Sequence, residues 1–96
     1  MTTLADIKHK LTVLKPILQE KYPLETMAIF GSYARNEQTE ESDVDVLVEF
    51  NGSIGLKFVT MANEIENFLK IKTDVVSRNG IKPQYYSFDI DDLIYV

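Results

Sequence analysis

The chain contains no cysteine, and His9 is its single histidine. The lack of thiols excludes disulfide bonds, a thiolate nucleophile and cysteine-based zinc sites. A Ser/His/Asp triad or a histidine-based metal site would depend on His9 alone. Because His9 lies off the apolar stripe of a predicted helix, we interpret it as a solvated residue.

Basic residues and long apolar runs are also scarce. Ten Lys and Arg residues stand against 15 Asp and Glu residues, which gives a formal net charge of −5. This balance argues against direct binding of nucleic acid, which requires basic patches, and against docking on an anionic membrane. The longest apolar stretches span three or four residues, as in residues 27–30, too few to cross a bilayer. The start of the chain shows no signal-peptide pattern, and we expect a cytoplasmic protein.

A length of 96 residues and an apolar fraction of 45% predict one small domain, residues 1–96, with its own core. Thr3 is the expected N-cap of a first helix, with Asp6 completing a capping box. The helix itself is indicated by one apolar stripe at helical spacing, formed by Leu4, Ile7, Leu11, Leu14 and Leu18.

Pro16 conflicts with one continuous helix, because proline lacks an N–H group and crowds the preceding turn. We therefore expect a kink or a restart near Lys15, and an end of the helix at Tyr22-Pro23.

Three further segments have the character of strands: residues 27–30, 43–50 and 71–76. Helical spacing returns over residues 56–69, and Pro83 is placed to open a last short helix. We expect the apolar end of the chain to pack back on the domain. This order of elements predicts an α/β or α+β fold in which helices cover a small sheet.

Asp43 and Asp45 lie two positions apart in the second predicted strand, so alternation places both side chains on one face. Two carboxylates held this close repel each other unless a cation or a shared proton neutralises them. Mg²⁺ takes oxygen ligands, usually one or two carboxylates together with substrate phosphates. The pair therefore fits a metal ion held against a nucleoside triphosphate, although Asp-x-Asp alone is also common at strand edges without a metal.

The segment Gly31-Ser32-Tyr33-Ala34-Arg35 directly follows the first predicted strand. A glycine at this point lets the backbone turn sharply and approach a ligand closely. We expect the turn to open a short helix whose amide groups and positive dipole end suit phosphate. Ser32 adds a hydroxyl donor and Arg35 a fork of donors. Taken singly, a Gly-Ser turn is common, and Arg35 equally fits a surface ion pair.

Asp74 is the isolated acid of the third predicted strand. A sheet can bring it beside Asp43 and Asp45, and three carboxylates around two metal ions serve phosphoryl or nucleotidyl transfer. By itself Asp74 also fits a turn-facing surface acid. The three features together, rather than any one of them, favour a nucleotide-transfer site.

The whole pattern resembles a known family. Gly31-Ser32-x-Ala34-Arg35 followed by Ser42-Asp43-x-Asp45 resembles the signature of the nucleotidyltransferase fold shared with DNA polymerase beta. More narrowly, the chain is similar to minimal nucleotidyltransferases, the small members that accompany HEPN-domain proteins in prokaryotic toxin–antitoxin pairs. The resemblance extends through Thr73-Asp74-Val75-Val76 to Asp92-Leu93-Ile94-Tyr95-Val96.

The resemblance implies a mixed sheet flanked by helices and a Mg²⁺-dependent enzyme that uses ATP. The implied reaction transfers AMP from ATP to a tyrosine of a cognate HEPN ribonuclease toxin and neutralises the toxin. In this reading Asp74 helps to activate the incoming hydroxyl. The implied catalytic and metal-binding residues, holding two Mg²⁺ ions, are Asp43, Asp45 and Asp74. The implied nucleotide-binding residues are Gly31, Ser32, Arg35 and Ser42.

Asn36 departs from the family pattern, which most often has glycine after the arginine. Asparagine tolerates left-handed backbone angles better than most residues, so we expect the turn to be kept.

Two other functions stay open from the sequence. One is a non-catalytic antitoxin that neutralises the toxin by direct binding, which the small size, the lack of a substrate domain and Asn36 favour. The other is a ligand-sensing or structural domain without a toxin partner. Six acids and no Lys or Arg lie between Asn36 and Phe50. This acidity fits a partner protein with a basic, RNA-binding face.

Overall fold

The structure, a computed structural model, describes residues 2–78 and 93–96 of the chain. In chain order the elements of this part are α1 (Leu4–Lys21), β1 (Leu24–Phe30), β2 (Val44–Phe50), α2 (Lys57–Leu69), β3 (Thr73–Ser77) and β4 (Ile94–Tyr95). These strands form one sheet in the order β3-β2-β1-β4. β1 is antiparallel to both β2 and β4, whereas β2 and β3 are parallel. The sheet is therefore mixed, and the predicted α+β class is confirmed.

The first helix begins at the predicted cap. The Thr3 hydroxyl accepts the Asp6 N–H at 3.2 Å, and the Asp6 carboxylate accepts the Thr3 N–H at 3.0 Å. The restart expected near Lys15 is wrong, because one helix runs from Leu4 to Lys21. Pro16 lies on the exposed side, and the apolar stripe continues through Leu18 into the core. Packing of that stripe therefore outweighs the one backbone donor that proline removes.

A hydrophobic core lies between α1, α2 and one face of the sheet. Because side chains alternate along a strand, Ala28, Asp45 and Leu47 belong to the opposite face. The core thus fixes the register in which Asp45 points away from the helices. Besides the α1 stripe, the core contains Met27, Ile29, Val44, Val46, Val48, Met61, Ile65 and Leu69.

The end of the chain packs back on the domain, as expected. Ile94 pairs with Ile29, Tyr95 pairs with Ala28, and the Val96 N–H donates to the Met27 carbonyl at 3.0 Å. The helix predicted from residue 83 lies outside the described residues. Neither helix of the described part has the length and hydropathy needed to cross a membrane.

A buried tyrosine joins the end of α1 to α2. The Tyr22 hydroxyl donates to Glu64 Oε1 at 2.5 Å, and Lys21 Nζ forms an ion pair with Glu64 Oε2 at 2.9 Å. The hydrogen bond to Glu64, together with burial, raises the pKa of Tyr22 to about 12. The hydrogen bonds from Tyr22 and Lys21 lower the pKa of Glu64. Both shifts favour the pair of neutral tyrosine and charged carboxylate.

Tyr22→Phe is expected to lower the free energy of unfolding by about 1.5 kcal/mol near neutral pH, since a charged acceptor loses its donor. The folded pKa of Tyr22 lies above its ordinary value of 10.0, so its contribution is complete below about pH 10 and is lost toward pH 12. The stabilising contribution of Glu64 has the opposite pH dependence. It is present above the ordinary pKa of 4.5 and is lost as the pH falls through the lowered folded pKa.

Urea unfolding of the wild type and the variant across this pH range measures both effects. Tyr95→Phe is the matched control, because Tyr95 is half-exposed and its hydroxyl accepts one hydrogen bond from Arg78. An equal decrease in the free energy of unfolding in the two variants at neutral pH would contradict the special role of Tyr22.

Candidate functional site

Two neighbouring parallel strands place the three aspartates predicted as metal ligands. Asp45 of β2 and Asp74 of β3 are register partners, and Asp43 directly precedes β2. Register partners on adjacent strands share a face of the sheet, and so do residues two positions apart. Asp43, Asp45 and Asp74 are therefore brought to one corner of the sheet, on the face opposite the helices.

The exposure of these acids differs. Asp43 and Asp45 are half-buried, whereas Asp74 is exposed. Across residues 2–78 and 93–96, no three Asp, Glu or His side chains converge into a ready-made metal site. Mg²⁺ commonly uses only one or two protein carboxylates and completes its shell with substrate phosphates and water. The oxygen donors of this corner fit that requirement through Asp43 and Asp45, with Asp74 alongside.

Gly31 lies against the Asp45 carboxylate. The pairing of Phe30 with Asp45 brings the next residue of the chain, Gly31, to this position. Gly31 has a φ of 75°, and a Cβ atom built there would fall on Asp45 Oδ2 and lie 3.1 Å from its Cγ. Glycine is therefore required twice, for its left-handed backbone and for the space that Asp45 occupies.

The short helix expected after Gly31 is not formed, and residues 31–36 make consecutive turns instead. The Arg35 N–H donates to the Gly31 carbonyl at 3.1 Å, and the Glu37 N–H donates to the Ser32 carbonyl at 2.8 Å. Asn36 has a φ of 61°, so the left-handed backbone expected at this position is present. That conformation ends the turn before a second helical turn can form.

The turn still offers donors for an anion. Within the described part of the chain, the N–H groups of residues 32–34 have no backbone acceptor. Successive free N–H groups in a turn form a concave site that suits phosphate. The phosphate-binding expectation therefore rests on these individual donors, because the helix dipole invoked for it is missing.

The side chains of the other predicted nucleotide-binding residues, Ser32, Arg35 and Ser42, differ in the hydrogen bonds and ion pairs that they make within the protein. The Ser32 hydroxyl has no hydrogen-bond partner among the described residues, and Ser32 is half-buried. Arg35 Nε contacts Glu37 Oε1 at 2.5 Å. The Ser42 hydroxyl accepts the Thr39 N–H at 2.9 Å and so shapes the acidic loop that leads into β2.

Lys72 also belongs to this corner, although no motif in the sequence predicts it. Its Nζ lies 3.9 Å from Asp43 Oδ2, and its carbonyl accepts the Val44 N–H at 3.0 Å. The register of β2 and β3 places Lys72 beside Asp43, and no local pattern in the sequence reveals that register. Because the Lys72 side chain is 81% exposed, this ion pair offsets only a small part of the acidic charge.

Comparisons with known sequences agree with the features of this corner. The family model of the nucleotidyltransferase domain matches residues 11–96. A Methanocaldococcus jannaschii relative, named as a candidate protein adenylyltransferase, is 49% identical over 98 residues, with 100% of both chains covered. The protein adenylyltransferase MntA of Thermococcus cleftensis is 34% identical over 97 residues, covering 100% of this chain and 98% of the relative.

Solved structures give the same assignment of the fold. A structure of a candidate minimal nucleotidyltransferase has a TM-score of 0.78 at 26% identity and covers 97% of this chain and 95% of that chain. A toxin–antitoxin crystal structure with AMP-PNP has a TM-score of 0.62 at 20% identity, covering 76% of this chain and 60% of that chain. The second likeness concerns the fold alone.

The resemblance to minimal nucleotidyltransferases of the polymerase beta-like superfamily is thus confirmed, and so is the prediction of a nucleotidyltransferase enzyme. The chain belongs to the nucleotidyltransferase domain family.

Proposed function

We propose that residues 1–96 form one catalytic domain that transfers AMP from ATP to a tyrosine of a cognate HEPN ribonuclease toxin. The protein would thereby act as the antitoxin, with Mg²⁺ as its cofactor. The observation that carries the proposal is the corner where Asp45 is in register with Asp74 and contacts Gly31. Asp43, two residues before Asp45, completes this corner.

The relatives support a protein as the acceptor. Two of the Methanocaldococcus jannaschii relatives, 45% and 49% identical to the whole chain, are named as candidate protein adenylyltransferases. The Thermococcus cleftensis relative is named protein adenylyltransferase MntA, and a solved toxin–antitoxin complex of the same fold also contains a protein named MntA.

The proposed reaction exchanges one P–O bond for another and moves one proton. The tyrosine oxygen bonds to the α-phosphorus of ATP, and the bond from that phosphorus to the oxygen bridging to the β-phosphate breaks. Pyrophosphate leaves, and the hydroxyl proton passes to the carboxylate of Asp74, whose exposure leaves it accessible to an incoming group. Two Mg²⁺ ions, held by Asp43, Asp45 and Asp74, would supply charge neutralisation for the triphosphate and the leaving pyrophosphate.

The turn after β1 is proposed to bind the triphosphate. The free N–H groups of residues 32–34 and the Ser32 hydroxyl provide neutral donors. Arg35 provides a charged one and would exchange Glu37 for a phosphate oxygen when the nucleotide binds. Ser42, at the end of the acidic loop, is proposed as a further contact of the nucleotide.

The charge distribution supports a basic protein rather than nucleic acid as the direct partner. The loop before β2 carries Glu37, Glu40 and Glu41, all exposed. Exposed acids repel a phosphate backbone and attract the basic face that an RNA-cleaving protein presents.

The double variant Asp43→Asn with Asp45→Asn is expected to lose AMP transfer at least about 100-fold, because the amides keep the shape of the carboxylates and remove their charge. The measurement is incorporation of label from α-labelled ATP into the toxin in the presence of Mg²⁺. The variant should also fail to relieve growth inhibition by the toxin.

The matched control is Glu20→Gln with Glu25→Gln, which removes the same charge from exposed positions in α1 and β1 outside the acidic loop and is expected to keep transfer within about twofold. An absence of label on the toxin with the wild type would refute the proposal. Full relief of toxicity by the Asp43/Asp45 variant would instead favour neutralisation by direct binding.

Gly31→Ala is expected to lower AMP transfer about 100-fold, since the added Cβ displaces the Asp45 carboxylate from its position. Gly52→Ala is the control, because Gly52 also has a positive φ, 123°, but nothing lies within 4 Å of its added Cβ. Transfer rates and urea unfolding of both variants separate the effect on the site from backbone strain. Similar transfer rates in the two variants would show that the contact between Gly31 and Asp45 is dispensable.

A further inference from the structure

β3 lies at one end of the sheet, and no strand of the described residues pairs with its outer edge. The carbonyl of Lys72 accepts the Val44 N–H, so the backbone groups of Lys72 face β2. The directions of the backbone groups alternate along a strand, so the N–H and C=O groups of Asp74 also point toward β2. The N–H and C=O groups of Thr73, Val75 and Ser77 point outward.

The first outward donor of this edge is already occupied. The Thr73 N–H donates to Glu66 Oε1 at 3.2 Å. The N–H groups of Val75 and Ser77 have no acceptor within residues 2–78 and 93–96. Within the described part of the chain, these consecutive groups along the edge have no backbone partner: the Thr73 C=O, the Val75 N–H and C=O, and the Ser77 N–H. Such a row is a template for pairing with another strand.

An apolar cavity of about 420 Å³ opens along the same edge. Val75 packs against the core, so its side chain lies on the face covered by α2, whereas Asp74 shares the opposite face with Asp45. A strand added to β3 would therefore place alternate side chains in the cavity and beside Asp74. The cavity is lined by Ile54, Gly55, Phe58, Val75, Val76 and Ser77.

We propose that the outer edge of β3 binds a segment of the toxin as an added β-strand, with the acceptor tyrosine opposite Asp74. The neighbouring residue of that segment, opposite Val75, is apolar and enters the cavity. This inference rests on the proposed function, because it assigns a docking mode to the acceptor of the same site. The occupant follows from continuity: the open groups of Thr73 and Val75 flank Asp74, the residue that pairs with Asp45, so main-chain hydrogen bonds to them would set the position of the tyrosine hydroxyl.

Ser77→Pro tests the edge directly. Proline removes the outward N–H of Ser77 and is tolerated on edge strands when that N–H faces away from the ladder. We expect kcat/KM for the toxin to fall about tenfold or more, the effect of one lost main-chain hydrogen bond and the added ring. The Kd for Mg·ATP should stay within about twofold of the wild type. The urea concentration at the midpoint of unfolding should also stay close to that of the wild type.

Ser77→Ala is the matched control, because it alters the same side chain and keeps the N–H group. Equal transfer to the toxin by the two variants would refute the docking mode and leave the proposed function intact. If the wild-type protein transfers no AMP to the toxin, the proposed function itself is refuted. A dimer in light scattering that Ser77→Pro dissociates would show that a second copy of this chain occupies the edge, which also overturns the inference.

Amide hydrogen exchange of the wild-type protein provides a measurement that does not depend on a variant. The amides of Val75 and Ser77 should exchange fast in the free protein, whereas those of Asp74 and Val76 are already protected by pairing with β2. Adding the toxin should slow exchange at Val75 and Ser77 about tenfold or more. Unchanged exchange at both amides in the complex would contradict strand addition.

Discussion

The antiparallel pairing of β1 with β2 brings the backbone of Gly31 against the carboxylate of Asp45, and the rest of the site depends on this contact. The register that produces it is fixed by apolar side chains. Ile29 and Val46, which pair with each other, are both fully buried in the core. A slip of one residue would turn Asp45 into that core, where an unpaired carboxylate is costly. Stability of the core and geometry of the site are therefore two consequences of one register.

Local patterns predicted those parts of the molecule that local interactions decide. The helical stripe of α1, its cap at Thr3 and the alternation of β2 depend only on neighbours along the chain. The restart of α1 that Pro16 predicts is wrong, because packing of distant residues on the stripe outweighs a local penalty. The sequence predicts a short helix after Gly31. The left-handed backbone of Asn36 explains why the chain makes only turns there.

The remaining features of the site arise from pairing between strands that lie far apart in the sequence. The proximity of Lys72 to Asp43 and the pairing of Asp45 with Asp74 both follow from the parallel register of β2 and β3. Alternation within one strand shows that Asp43 and Asp45 share a face, but it carries no information about the partner strand. Two features of the sequence predict Asp74 as a site residue: its isolation as an acid in an apolar strand, and the resemblance to the family.

The open edge of β3 has a physical cost that its position helps to explain. An unpaired edge invites association, and proteins limit this hazard by keeping edge strands short and by closing some of their groups. β4, at the other end of the sheet, is only two residues long, whereas β3 has five residues and has its first outward N–H closed by Glu66. The groups without a partner among the described residues are those beside Asp74 and the apolar cavity. In the proposed complex, main-chain pairing at this edge would orient the acceptor tyrosine beside Asp74.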